Sequence, residues 1–394
     1  MKRSKILVLC LAVASLSMGA TFARASSTNP YSKWSRGPGG GDEFFPIAVW
    51  LQSPANATRY RDAGFNLYIG LWKGPTDEQL AQLKAAGMRV ICDQNPVGLR
   101  HVDDPTIVGW MHGDEPDNAQ ALEGGGGYGP PIPPARIVAG YERIRAADPS
   151  RPIVLNLGQG VAWDGWHGRG VRTNHPEDYP EYVKGCDIVS FDIYPVAHDR
   201  PQVAGKLWYV GYGVERLVGW AQGRPVWNCI ECTHISSKQN KATPQQVRCE
   251  VWMSIVHGSK GLIYFVHEWQ PQFDEAALLH DPAMYEAVTR INQRIAKLAP
   301  VLNSPTILDG GKASPAEAGV PIKTMVKKDA DAVYLFAVAM REGKTAAKLS
   351  IQGVSGRRTV EVLDEDRTLE STDGAFEDAF GPWDVHLYRV PISQ

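Results

Sequence analysis

Beyond its first 25 residues the chain has no apolar run of the roughly 20 residues that a helix needs to cross a bilayer, which argues against a helical membrane protein. It has no excess of positive charge either. With 41 basic residues against 43 acidic ones, nothing in the balance suits a nucleic acid or an anionic membrane as partner. No H-E-x-x-H is present, and the single C-x-x-C, Cys229-Ile230-Glu231-Cys232, has no second pair with which to build a zinc ribbon. That segment reads as packing around a strand end, and no metal or other cofactor is expected. Cysteine is scarce, with six in 394 residues.

The first 25 residues are read as a signal peptide. Lys2, Arg3 and Lys5 form a basic start, Ile6 to Ala20 an apolar stretch, and Ala23-Arg24-Ala25 a small-x-small cleavage pattern. The expectation is a secreted or periplasmic protein, and the absence of a cysteine just after the cleavage site argues against a lipid anchor. Cleavage removes one cysteine and leaves five, enough for at most two disulfides in pairings that spacing does not decide. It also removes four basic residues and no acid, so the remainder carries a net charge of −6.

What the chain does contain is regular alternation. From Phe44 to about Leu298, short apolar runs take turns with helical patterns, the signature of repeated βα units and a parallel sheet. Strands are expected at 44–51, 65–72, 88–92, 107–112, 152–157, 187–191, 225–230 and 261–266. Thr76 and Thr243 cap helices, the latter with Pro244 at the first helical position and Gln246 at the third. A glycine and proline run from Gly124 to Pro134 is too irregular for an element. Eight strands in about 250 residues match a closed (β/α)8 barrel, assigned to residues 26–300. Past Pro300 the pattern changes to alternating runs such as Ala332 to Ala339, Ala346 to Ile351, Thr359 to Leu363 and Val385 to Val390. Residues 301–394 are therefore expected to form a small C-terminal antiparallel β-sandwich.

The chemistry gathers at two strand ends. Ile107 to Asp117 is an apolar run that breaks into three carboxylates and a proline, with Glu115 the leading candidate. Strand seven runs from Pro225 and delivers Glu231. Barrel strands present catalytic groups at their C-terminal ends, and strands four and seven would set the two glutamates across one mouth. Facing carboxylates are what glycoside hydrolysis requires, one protonating the leaving oxygen while the other, ionised, acts at the anomeric carbon. Glu268, just after strand eight with His267, competes with Glu231 for the second role. His112, His234 and His267 read as hydrogen-bonding wall residues. Twelve tryptophans against ten phenylalanines offer broad faces for sugar rings, with Trp50, Trp72, Trp163 and Trp166 at or beyond strand ends.

On these residues the barrel region resembles the clan A retaining glycoside hydrolases. Gly113-Asp114-Glu115-Pro116 is similar to the strand-four motif with its acid/base glutamate, and Glu231 stands at the position of the strand-seven nucleophile. Asp192-Ile193-Tyr194-Pro195 is similar to the strand-six segment, where a tyrosine contacts the nucleophile, and Trp269 to the aromatic platform after strand eight. Asp114 departs from the usual asparagine, which holds the sugar 2-hydroxyl. The resemblance implies a retaining O-glycosidase acting by double displacement on a poly- or oligosaccharide, with Glu115 and Glu231 catalytic. It places Asp114, Tyr194, Trp50, Trp72, Trp269, His267 and Glu268 on the substrate. A non-catalytic carbohydrate-binding protein and a metal-dependent hydrolase are the alternatives. The first strand ends Ala48-Val49-Trp50-Leu51, without the paired histidines of metal-dependent barrel hydrolases.

Overall fold

A computed structural model describes residues 29–39 and 41–392. The expected signal peptide, 1–25, lies outside the described residues.

Eight parallel strands close into a barrel: β1 (Ile47–Trp50), β2 (Leu67–Ile69), β3 (Arg89–Asp93), β4 (Ile107–Met111), β5 (Ile153–Leu157), β6 (Ile188–Phe191), β7 (Val226–Glu231) and β8 (Gly261–Phe265). The ring is sealed where β1 pairs with β8, Ala48 opposite Ile263. The strands are largely apolar because they are covered twice, by helices outside and by the other strands inside, with polar residues such as Asn156 and Ser190 toward the mouth. Ala48, Leu67, Ile69, Ile91, Val154, Ile188 and Ile263 fill the interior. The N-terminal end of the barrel is stoppered by Tyr31, whose hydroxyl accepts from Trp227 Nε1 at 2.7 Å and donates to the Lys260 carbonyl at 2.6 Å. This leaves the opposite, C-terminal mouth as the open end.

The helices carry the start signals seen in the sequence. Thr76 and Thr243 both form full capping boxes, with Gln79 and Gln246 returning the bond. Helix Pro244–Val256 is buried along most of its length because it lies between the barrel and a second layer of structure. The longest helix, Pro282–Asn303, begins on an Asp281 cap and runs three residues past Pro300. Among the described residues no helix is long and apolar enough to cross a membrane.

The C-terminal unit is an antiparallel sandwich of eight strands: β9 (Gly311–Pro315), β10 (Ile322–Lys328), β11 (Ala332–Ala339), β12 (Thr345–Ile351), β13 (Arg357–Val362), β14 (Arg367–Thr372), β15 (Ala375–Phe380) and β16 (Val385–Pro391). They pair in the order β10-β11-β16-β13-β14-β15-β12-β9, and the sheet curls until its two ends meet, Thr324 Oγ1 donating to the Gly311 carbonyl at 3.2 Å. β12 alternates buried and exposed residues as a surface strand should. β11 is buried throughout: Val333, Leu335 and Ala337 face the sandwich core, while Tyr334, Phe336 and Val338 join the core of the barrel. Phe336 stacks on Trp252 with ring centroids 5.3 Å apart.

All five cysteines after the expected cleavage point are buried free thiols. Cys229 belongs to the barrel interior, and Cys232 Sγ lies 3.5 Å from the Phe265 carbonyl.

Candidate active site

The mouth is built on a polar floor. Ser190 of β6 donates to Asn156 Oδ1 of β5 at 2.8 Å, and Asn156 Nδ2 donates to Asp114 Oδ1 at 3.0 Å. Above β4, the Glu115 amide still extends the ladder by donating to the Asn156 carbonyl at 3.0 Å. Glu115 then takes a φ of +42°, a left-handed conformation that a residue with a Cβ rarely adopts and that concentrates at functional sites. Asp117 braces this turn from below, fully buried, accepting from the Gly158 amide at 2.9 Å and the Tyr179 hydroxyl at 3.0 Å. A Cβ at Gly158 would lie 2.9 Å from Glu115 Oε1 and 2.8 Å from Asn118 Nδ2, so any larger residue there must displace the ends of these two side chains.

The turn aims Glu115 at Asp192, which continues the inward alternation of Ile188 and Ser190 one step beyond β6. The two carboxyls lie close enough for each to shift the proton affinity of the other. Loss of solvent raises the Glu115 carboxyl well above the ordinary range, and the charges of Asp192 and Asp114 raise it further. Burial likewise lifts Asp192 to about 7, against the lowering effect of Glu115 and Tyr194 beside it. Asp114 is partly open to water, yet the enclosing walls push it up to about 6 against its bond from Asn156, with the charge of Asp117 adding to the rise. Asp192 Oδ1 is enclosed and has no hydrogen-bond partner among the described residues. Three acids thus crowd one mouth, each raised above its ordinary range.

Beside them opens a cavity of about 570 Å³ on the β1, β2 and β8 side. Trp50, Trp72, Trp269 and His267 all line it, as do Phe265, Phe273 and Glu275, three residues that sequence reasoning does not single out. Trp72 is 66% exposed, Trp269 50% and Phe273 57%, so these rings offer faces rather than fill a core. His267 is held at Nε2 near Gln52 and the Leu51 carbonyl, 3.2 Å from each, and burial lowers its pKa so that it stays neutral. Phe265 links cavity to acids, its ring 5.2 Å from that of Tyr194.

Two expected site residues are placed elsewhere. Glu268 does not line the cavity; its backbone bridges to Asp274, with Glu275 the carboxylate on that wall. Glu231 is fully enclosed, its carboxylate oxygens accepting from the amides of Val196 at 2.6 Å and Ala197 at 2.7 Å. Behind it Glu250, from helix Pro244–Val256, forms a second carboxyl pair. Glu115 is thus set beside Asp192 and Asp114, while Glu231 is enclosed against Val196, Ala197 and Glu250. Alternation along β6 is the signal that could have found Asp192; the partners that enclose Glu231 are distant in sequence and leave no local mark. Among the described residues no three histidine, cysteine, aspartate or glutamate side chains are disposed to hold a metal ion.

No protein-family model matches the chain, and no curated protein matches it in sequence. Its fold is similar to that of AmyP, solved in complex with maltotriose, at a TM-score of 0.52 and 8% identity, covering 89% of this chain and 97% of that one. It is similar also to an alpha-L-arabinofuranosidase from Thermotoga maritima, solved in complex with arabinose, at a TM-score of 0.51 and 11% identity, again over 89% and 97% of the two chains. At such identities the likeness is one of fold.

Proposed function

We propose that the protein hydrolyses O-glycosidic bonds of a poly- or oligosaccharide, and that it does so outside the cytoplasm. The observation that carries the reading is the closely set Glu115–Asp192 carboxyl pair in the open mouth of a barrel, next to a cavity walled by exposed aromatic rings. Carboxyls in contact and starved of water differ in their hold on a proton, which supplies one acid and one base from two like groups. Glu115, raised by burial and by the charges of Asp192 and Asp114, is the proton donor to the leaving oxygen. Indole faces bind sugar rings through their C–H surfaces. The fold neighbours solved with maltotriose and arabinose support a carbohydrate substrate, and the Met1–Ala25 pattern supports export.

A retaining double displacement needs a second carboxylate at the anomeric carbon, roughly 5–5.5 Å from the acid. Glu231 is the residue that the resemblance puts in this role, but its oxygens are held by two amides and sealed from the mouth. Asp192 is the carboxyl beside Glu115 in the mouth, at closer range than that. The geometry favours Asp192, parted from Glu115 as the sugar enters between them. The test is to screen the purified protein against aryl glycosides and polysaccharides, follow the anomer first released by NMR, and compare Asp192→Ala with Glu231→Ala in the presence of azide. Retained configuration, with azide rescuing Asp192→Ala, is the expected result. Rescue of Glu231→Ala instead would return the role to Glu231, and inverted product would remove the nucleophile altogether.

A further inference from the structure

A second set of rings stands on the other flank of the acids, in the segment that follows β5. Trp163 and Trp166 lie with centroids 6.0 Å apart, His167 packs 4.5 Å from Trp166, and His198 comes within 5.9 Å of Trp163. All but His198 are partly or fully open to solvent. This cluster is tied directly to the acid site: Trp166 Nε1 donates to Asn118 Oδ1 at 2.9 Å, and the Asn118 amide donates to the Glu115 carbonyl at 3.0 Å. His198 is in turn held by Gln159 Oε1 at 2.8 Å, so the wall carries polar groups between its rings. In an eight-strand barrel the β5 segment lies opposite β1, whose end bears Trp50 and the first aromatic cavity.

The order across the mouth is then rings, acids, rings. An enzyme that removes single units from a chain end needs a pocket closed on one side of the reacting bond. Here each flank of the acids carries rings partly or fully open to solvent, Trp72 and Trp269 on one side and Trp163, Trp166 and His167 on the other, with hydrogen-bonding groups between them. Resting on the glycosidase reading above, we propose that the Trp163–Trp166 wall is a second carbohydrate subsite, that the chain lies across the acid pair with sugars bound on both sides, and that internal linkages are cleaved.

The experiment uses the full-length protein and end-labelled hexasaccharides of β-1,4-glucan, β-1,4-xylan and α-1,4-glucan, together with the parent polymers. For the accepted chain, the first products should be internal fragments of two to four units, and polymer viscosity should fall well before reducing ends accumulate. Trp166→Ala should lower kcat/KM on the hexasaccharide at least tenfold more than on an aryl monoglycoside. Trp166→Phe, which keeps the ring and loses the bond to Asn118, should recover most of that difference. Release of monosaccharide alone from one end, or equal losses on long and short substrates, overturns the proposal. Binding separates the two readings. In Glu115→Gln, titrated by tryptophan fluorescence and calorimetry, hexasaccharide affinity should fall in both Trp166→Ala and Trp269→Ala. If that holds for a protein that cleaves nothing, the two-sided cleft stands and the hydrolase reading falls. If Trp269→Ala weakens binding and Trp166→Ala does not, the second subsite is refuted whatever the catalysis, and if none of the three hexasaccharides binds, both readings fall.

Discussion

Glu115 and Asp192 do not both ionise at neutral pH, because they are two carboxyls side by side and largely cut off from water. The negative charge of Asp192 is one of the forces that keep Glu115 protonated. Asp192→Asn removes that charge, so Glu115 should ionise at lower pH, which carbon NMR of glutamate-labelled protein reads without any need for turnover; a Glu115 titration that stays in place would show that the charge of Asp192 does not hold its proton. Glu115→Gln keeps the shape and loses the proton. Its loss should be of the order of 100-fold or more on an alkyl or natural glycoside and far smaller on a dinitrophenyl glycoside, which leaves without protonation. The Glu231–Glu250 pair makes a different prediction, about stability. Burial lifts Glu231 to about 7 and Glu250 well above its usual range, while in the unfolded chain both ionise near 4.3. Between those pH values the folded protein keeps protons that the unfolded chain has released, so stability is fullest below the unfolded value and falls as pH rises through the folded one. Glu250→Gln removes one of the two ionisations. Its Tm relative to the parent should therefore rise steadily between pH 4 and pH 8, and a difference constant with pH would mean that the pair does not titrate in that window.

At the scale of elements, the pieces that carry their own start signals were legible in the sequence. The Thr243 box fronts a helix wedged between barrel and sandwich, and Thr243→Ala should cost about 1 kcal/mol, read as a fall in Tm with no change in KM. The eight barrel strands were legible as apolar runs, but the first begins only at Ile47, because Phe44 and Phe45 contribute apolar surface before the ladder starts. Strands β9, β10, β14 and β15 were missed, since three of them are largely exposed and β10 keeps a clear apolar face only over Met325 to Lys327. Helix Pro282–Asn303 starts on Asp281-Pro282 and continues past Pro300, where the sequence pattern changes from barrel to sandwich. The site was legible where residues lie at strand ends: Trp50, Trp72, Trp269 and His267 meet in one cavity, and Glu115 reaches the mouth. The seat of Glu231 was not, because it depends on amides 35 and 34 residues away. The close approach at Gly158 was equally hidden, and Gly158→Ala should push Glu115 from its place and lower kcat/KM by about 10- to 100-fold while the Tm changes little.

For the whole molecule, the decisive fact is that the barrel and the sandwich share a core. β11 turns Tyr334, Phe336 and Val338 onto helix Pro244–Val256, Trp252 stacks on Phe336, and Arg248 donates to the Val385 carbonyl at 2.7 Å. The same helix presses Glu250 against the end of β7 on its other side. A unit bonded in this way to both neighbours cannot lose one of them and remain covered, so the two parts should unfold together in a single calorimetric transition. Trp252 is 1% exposed, and truncating a buried tryptophan costs about 3–5 kcal/mol through lost burial and the cavity left behind. Trp252→Ala should therefore lower the Tm of that single transition as a whole. It should leave KM near the parent value at temperatures where the variant is folded, since Trp252 does not reach the mouth. A chain ending at Asn303 would expose Trp252 and the apolar face around it, and is expected to aggregate rather than fold. Two resolved transitions, with Trp252→Ala moving only one of them, would instead mean that the sandwich is an independent unit and that the shared core contributes little to holding the barrel together.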